Sequence, residues 1–425
     1  MASVKKLKEG KYRIYVSVNG QRKSKVIEAK TDKKAESIAA VLESKMKETG
    51  SINGATKKEK ENRFMVDLCD DYLYFLQHAK GKPIKPKTAQ KYSDTIKYHI
   101  KPFFRGYKVS EVTVDLVDEF IVWMRSPEAK VNKTNKRSYS EATVKDTFTF
   151  LKGLLQYAVT RGYIIYNPCN MVQAPAVVEK EVEYLDDVQI ANMLRALDDE
   201  TENAWKEAEV KRKRGTIQEF TIQKDLIGAL GKQLLVYIAL NTAARRGEIL
   251  ALTRDDIDHE EKSIFFCKEV LYTRDNGTYL QHSLKTDKNK KVFISDTLLE
   301  MIDIYIVELD KLIQASNGKI PPTNMLFMSL RNTKTETVGG LPFPDPYSEW
   351  FKLFMKRNNL PKVSFHKLRH SSISYMINNG VDLFVVAQIA GHSSIEQIKK
   401  TYGHVWDKTK KEAANTLGKM FETNK

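Results

Sequence analysis

Four of the chain's eight histidines fall between Ser364 and His404, in a stretch that also holds Arg369 and Tyr402. It reads Ser364-Phe365-His366-Lys367-Leu368-Arg369-His370, then an apolar helical run, then Gly391-His392 and Thr401-Tyr402-Gly403-His404. Proton carriers, a guanidinium and a phenol gathered in so short a segment point to chemistry rather than scattered core packing. His366 and Arg369, three residues apart, share one face if the segment is helical. Farther upstream stand Arg245, in Asn241-Thr-Ala-Ala-Arg245-Arg-Gly-Glu248, and Lys285, in a loop beside two strands. Arginines offer paired donors that match a phosphate whose equatorial oxygens gain charge in the transition state. A phenol becomes a nucleophile when that field lowers its effective pKa and a neighbouring imidazole takes its proton. The set suits phosphoryl transfer.

Taken singly, each member has an ordinary reading. His366 and His392 could be hydrogen-bonded structural histidines, Arg245 and Glu248 a salt-bridged helical pair, and Tyr402 a core aromatic. Taken together they favour chemistry. The sequence has no glycine-rich loop ending in Gly-Lys-Ser/Thr, no His-Glu-x-x-His and no paired-carboxylate cluster suited to Mg²⁺. Covalent chemistry on a phosphodiester with no cofactor and no metal is the expectation.

These groups need elements to position them. From Asp296 to the end helical periodicity dominates, and Leu226–Leu240 is an apolar helix leading into the Arg245 segment. Between them lie short β-rich pieces, Ser263–Cys267, Leu271–Thr273, Thr278–Gln281 and Lys291–Ile294, with Asp275-Asn276-Gly277 as a turn. Preceding these, a helix near Asp186–Leu197 runs into the charged segment Asp198–Lys224, expected as a solvated helical excursion. Residues 181–425 thus read as one mainly helical α+β unit with a small antiparallel sheet.

Upstream, apolar residues at three- and four-residue spacing predict helices near 64–79, 86–100, 114–125 and 141–160, an all-α domain over 64–174. Lys87 and Lys91 on its second helix and the basic loop Lys130–Arg137 are candidate phosphate contacts. Asn167–Lys180 reads as a linker, as does Thr49–Asn62. At the N-terminus, Lys11–Val26 alternates apolar and polar residues around Asn19-Gly20, which predicts a hairpin, and Thr31-Asp32 precedes an amphipathic helix over Lys33–Lys47. Residues 1–60 are therefore a small β-sheet plus helix module, and the chain is multidomain.

The net charge is +16 with a pI near 9.3, and more than half of that excess precedes residue 61. An anionic partner follows, double-stranded DNA first, with Arg13, Arg22, Lys23 and Lys25 as candidate contacts in the N-terminal module. No apolar run approaches the roughly 20 residues needed to span a bilayer, and no signal-peptide core opens the chain, so no membrane is expected. Cys69, Cys169 and Cys267, odd in number and far apart, argue against disulfides and fit a reducing bacterial cytoplasm.

The motifs resemble those of the tyrosine recombinases, specifically phage- and transposon-type integrases. Thr242-Ala243-Ala244-Arg245-Arg246-Gly247-Glu248 resembles the family's first arginine box, with Ala243 where glycine is common. His366-x-x-Arg369-His370 resembles the second box, Ala390-Gly391-His392 the Leu-Gly-His element, Lys285-Thr286 the β-hairpin lysine, and Tyr402 the nucleophile. The resemblance spans the whole chain. It implies an arm-type DNA-binding module, a helical SAM-like core-binding domain and a catalytic domain that cuts and rejoins DNA through a 3′-phosphotyrosyl bond. Arg245 and Arg369 would hold the non-bridging oxygens, Lys285 would be the general acid, His366 would assist proton transfer, and His392 would hydrogen-bond the phosphate. Glu248 would position Arg245, while His370 and His404 would support the site from behind its reacting groups or be structural. A homotetramer on core and arm-type attachment sites is implied, with an excisionase or a host DNA-bending protein as partner, and the helix Thr409–Phe421 docking between protomers. Two other classes share parts of this pattern: type IB topoisomerases, and DNA-binding regulators without catalysis.

Overall fold

The computed structural model describes residues 2–8, 10–18, 20–29, 31–49, 62–79, 81–129, 138–178, 183–284, 289–333, 335–391, 394–402 and 414–415. Lys285, His392, His404, the loop Lys130–Arg137, most of the linker Thr49–Asn62 and nearly all of Thr409–Phe421 lie outside the described residues. The chain divides into two compact units, Met1–Val178 and Glu179–Lys425.

In the first unit, strands β1 (Ala2–Lys8), β2 (Lys11–Val18) and β3 (Gln21–Glu28) form an antiparallel sheet in that order. The hairpin expected over Lys11–Val26 thus gains a third strand, β1, whose Ala2 and Val4 pair with Val16 and Ile14. Helix α1 (Asp32–Thr49) packs on one face, where Ile14, Val16, Ala39, Leu42 and Met46 make a small core. Register assigns the basic residues to sides, since directly opposed residues share a face. Lys5 opposes Arg13, Ser3 opposes Tyr15 and Arg22 opposes Ser17, which puts Lys5, Arg13, Tyr15 and Arg22 on the face away from α1. Lys23 and Lys25 oppose Val16 and Ile14, so they belong to the helix-covered side and emerge at its open edge.

Four helices make the next core: α2 (Met65–Tyr74), α3 (Pro86–Thr95), α4 (Val114–Arg125) and α5 (Glu141–Arg161). Both α2 and α3 continue through a widened π-type turn, to Ala79 and Ile100. Thr113 caps α4 by accepting the Leu116 N–H and Ser140 caps α5 by accepting the Thr143 N–H, while Gly162 in a left-handed conformation (φ 71°) ends α5. Lys87 and Lys91 are exposed on α3, and Lys91 pairs with Asp146 of α5 at 2.7 Å. The expected linker starts later than its composition suggests. Asn167 and Cys169 are buried, and Asn167 Nδ2 donates to the Lys152 carbonyl at 2.9 Å, so this turn belongs to the helical core.

The second unit is built around α7 (Glu219–Thr242), which buries residues on nearly every side and packs against α6 (Asp187–Arg214), α9 (Asp296–Ala315) and α11 (His366–Asn378). A helix that buries so much of its circumference belongs in the middle. The charged segment is no detour: α6 runs unbroken through it to a left-handed Gly215, with Thr201 and Ala208 buried. Short helix α8 (Arg246–Leu250) follows α7. Strands β4 (Ile257–Asp258), β5 (Ser263–Phe266) and β8 (Lys290–Phe293) form one antiparallel sheet, and β6 (Glu269–Thr273) with β7 (Gly277–Gln281) a separate hairpin, so the single expected sheet is two. Helices α10 (Asp345–Arg357), α12 (Leu383–Ala390) and α13 (Ile395–Tyr402) complete the unit.

Candidate active site

Site geometry begins at the C-terminus of α7, whose last carbonyls have no partners within the helix. Three other groups supply them. Ser372 Oγ of α11 donates to the Leu240 carbonyl at 2.6 Å, Lys290 Nζ of β8 to Thr242 at 3.3 Å, and Arg369 Nη1 of α11 to Ala243 at 2.6 Å. Two of these donors are cations, the charge that a helix C-terminus favours. The chain then turns through Ala243 in a left-handed conformation (φ 49°) and presents Arg245 at the start of α8. Gly247 is required there, because a Cβ would sit 2.7 Å from the Val270 carbonyl of β6.

Arg245 is anchored by Glu248. The carboxylate accepts from Arg245 Nη1 at 2.6 Å and from the Arg245 backbone N–H at 3.0 Å, and Glu248 is only 1% exposed. Burial pushes Glu248 up, but Lys290 and Arg245 outweigh it and leave the carboxylate below its ordinary range. Lys290 Nζ is 3.7 Å from Glu248 Oε2, and burial above all brings its pKa down to about 7. Arg369 is 4% exposed; burial and then the Arg245 charge lower it to about 10. Its Nη2 is buried and has no hydrogen-bond partner among the described residues, an arrangement that suits an anionic oxygen.

Tyr402 ends α13 and is 1% exposed, packed with Ala243, Ile373, Val386 and Ile398. Burial raises the phenol's pKa and the Arg369 charge opposes that rise. Tyr402 Oη lies 2.5 Å from His370 Nδ1, with the donor set by the imidazole tautomer. His366 is exposed at the start of α11, its ring 5.3 Å from that of His370.

Arg245, Glu248, Arg369 and Tyr402 are thus brought together, and His366 lies one turn from the phenol's partner. His370, expected behind the reacting groups or as a structural residue, stands closer than that: it is the imidazole that touches the phenol. It sits four residues after His366 and immediately after Arg369, so the same helix turn that aims the arginine inward aims His370 beside it. Lys290 was also missed, one residue before the strand expected over Lys291–Ile294. Its signal was strand alternation: Lys290, Val292 and Ile294 point inward, while Lys291 and Phe293 point out.

A helical unit that joins two inward arginines, an imidazole and a buried phenol is an arrangement suited to covalent phosphoryl transfer through tyrosine. The model of the Phage integrase family matches residues 221–409, and that of the Phage integrase SAM-like domain matches residues 67–174. The chain is 25% identical to a "Tyrosine recombinase XerC-like" protein of Caldanaerobacter subterraneus subsp. tengcongensis, over 98% of each chain. It is 23% identical to the ICEBs1 integrase of Bacillus subtilis, over 99% of this chain and all of that one. The solved Tn1549 transposon integrase, in complex with a circular intermediate DNA, shares the fold with a TM-score of 0.60 at 17% identity, over 83% of this chain and 99% of that one. The chain belongs to the tyrosine recombinases of the phage integrase family.

Proposed function

We propose that this recombinase integrates and excises a mobile element by cutting and rejoining double-stranded DNA through a 3′-phosphotyrosyl bond to Tyr402. The observation that carries the reading is the convergence of Tyr402, His370, Arg369 and Arg245, with Arg369 Nη2 buried and without a partner among the described residues. Attack forms the Tyr402 Oη–phosphorus bond and breaks the bond to the 5′-oxygen. His370 receives the phenol's proton, with His366 beside it as a second proton carrier, and Lys285 protonates the leaving oxygen. The liberated 5′-hydroxyl of a partner duplex then reverses the step. The ester conserves the bond energy, so no nucleotide cofactor is consumed. Arg245 and Arg369 hold the non-bridging oxygens with His392, and Glu248 fixes Arg245. Loss of one such donor costs about 3–4 kcal/mol of transition-state stabilisation.

The domain assignment rests on the same reading: 1–60 binds arm-type sites, 64–174 binds core sites with Lys87 and Lys91 near the backbone, and 181–425 carries the chemistry. Four protomers assemble on two sites, Thr409–Phe421 docks between them, and an excisionase or host DNA-bending protein sets direction in the bacterial cytoplasm. The Tn1549 integrase, matched over 83% of this chain, was solved bound to DNA, which supports the choice of partner.

A plasmid carrying two attachment sites, isolated from the junctions of the element that bears the gene, tests this reading. Purified protein is expected to produce deletion or inversion products. Relaxation of supercoils without such products would favour a type IB topoisomerase, and binding without either would favour a regulator.

A further inference from the structure

Lys290 has a place in the site that its position in a basic run does not suggest. Its side chain is 6% exposed, and its Nζ donates to two carbonyls on different elements, Thr242 at 3.3 Å and Ile389 at 3.1 Å. Thr242 is the last residue of α7, three before Arg245. Ile389 is the penultimate residue of α12, two before the left-handed Gly391 that precedes His392 in the chain. The same nitrogen is 3.7 Å from Glu248 Oε2, the carboxylate that holds Arg245. Its stem is fixed as well: Nζ lies 4.7 Å from the centre of the Phe266 ring, and a Cβ at Gly391 would stand 3.5 Å from Lys290 Cδ. A lysine that only filled space would be replaced at no loss by an apolar chain, since burying its amine costs more than burying a methyl.

We infer that Lys290 is a positioning residue for DNA cleavage: it ties the ends of α7 and α12 to β8 and so sets the separation between Arg245 and the C-terminal end of α12. The inference rests on the recombinase reading above. Lys290 touches no reacting atom; it acts through Glu248 and through the two helix ends. Catalytic groups displaced by as little as 1 Å lose about 100-fold in rate, which sets the scale of the effect.

The test compares wild type, Lys290→Met and Lys290→Arg, all full length, on a nicked suicide duplex built on one of those attachment sites. Two quantities are read, the dissociation constant for the duplex and the single-turnover rate of covalent adduct formation. Lys290→Met keeps the stem's bulk and removes the donors; about a 100-fold slower adduct rate is expected, with affinity changed less than about threefold. Lys290→Arg restores donors and charge, and at least about tenfold of that rate is expected to return. A Lys290→Met rate equal to wild type overturns the inference, as does a folded Lys290→Arg protein no faster than Lys290→Met. If both variants fail to fold, the amine is a requirement of the fold and the positioning role is overturned. Absence of adduct with wild-type protein would instead sink the recombinase reading, so the two failures are distinct.

Discussion

At Tyr402 two influences oppose each other: burial holds the phenol protonated, and the Arg369 charge favours its ionisation. An imidazole 2.5 Å away stands where it could take the proton as the bond forms. Replacing His370 by Ala is therefore expected to slow adduct formation by about 100- to 10,000-fold while His366→Ala costs less, and equal losses would show that His370 has no special part. Lys290 makes a prediction about stability. Its folded pKa, about 7, lies below its ordinary 10.5, so the unfolded chain binds more protons between those values. Its contribution is most unfavourable below about pH 7 and improves as pH rises through that window. The Tm of wild type should thus rise relative to that of Lys290→Met as pH goes from about 7 toward about 10; a pH-independent difference contradicts the assignment. Among single residues, the arginine and tyrosine positions were legible because their spacing is a motif. His370 and Lys290 were not, because one was screened by a more prominent neighbour and the other needs strand alternation and the far helix ends to be seen.

The same limits act on elements. Helices of the first unit follow apolar periodicity closely, since a 3.6-residue repeat is a local property. Strand β1 was missed because Ala2, Val4 and Lys6 alternate too weakly without β2 beside them. Helix α6 was expected to leave the core where its charges begin, yet Thr201 and Ala208 keep it seated. The turn before Arg245 holds two testable backbone features. At Ala243, the left-handed conformation costs about 1–2 kcal/mol, while the buried methyl returns about 0.8 kcal/mol and glycine would lose further chain entropy. Ala243→Gly is expected to change stability by less than about 1 kcal/mol in urea unfolding, despite full burial. Gly247→Ala meets a backbone carbonyl that cannot yield; a loss of about 1–3 kcal/mol is expected, together with slower cleavage as the Arg245 turn shifts.

Across the whole molecule, charge and chemistry are separated along the chain. The N-terminal module carries a disproportionate share of the positive charge, and its exposed sheet face groups Lys5, Arg13, Tyr15 and Arg22, with the Arg22 guanidinium 4.8 Å over the Tyr15 ring. Arg13→Ala and Arg22→Ala should weaken binding to arm-type DNA more than Lys23→Ala and Lys25→Ala, which project on the other side. Gel shifts in low salt would measure this, and equal losses would mean that DNA does not lie on that face. Deleting residues 1–60 should abolish arm-type binding while core-site cleavage survives. The mainly helical, multidomain class with a small N-terminal sheet was legible from composition and periodicity, whereas the meeting of Arg245, Lys290 and Arg369 from separate elements is a product of tertiary folding alone.

The central claim, that Tyr402 bonds covalently to DNA, is tested most directly by protease digestion of the trapped protein–DNA adduct and mass spectrometry of the nucleotide-bearing peptide. The expected result is a 3′-linked nucleotide on Tyr402, a free 5′-hydroxyl on the released strand, and no adduct from Tyr402→Phe. A nucleotide on another residue, or a trapped adduct from Tyr402→Phe, would contradict it.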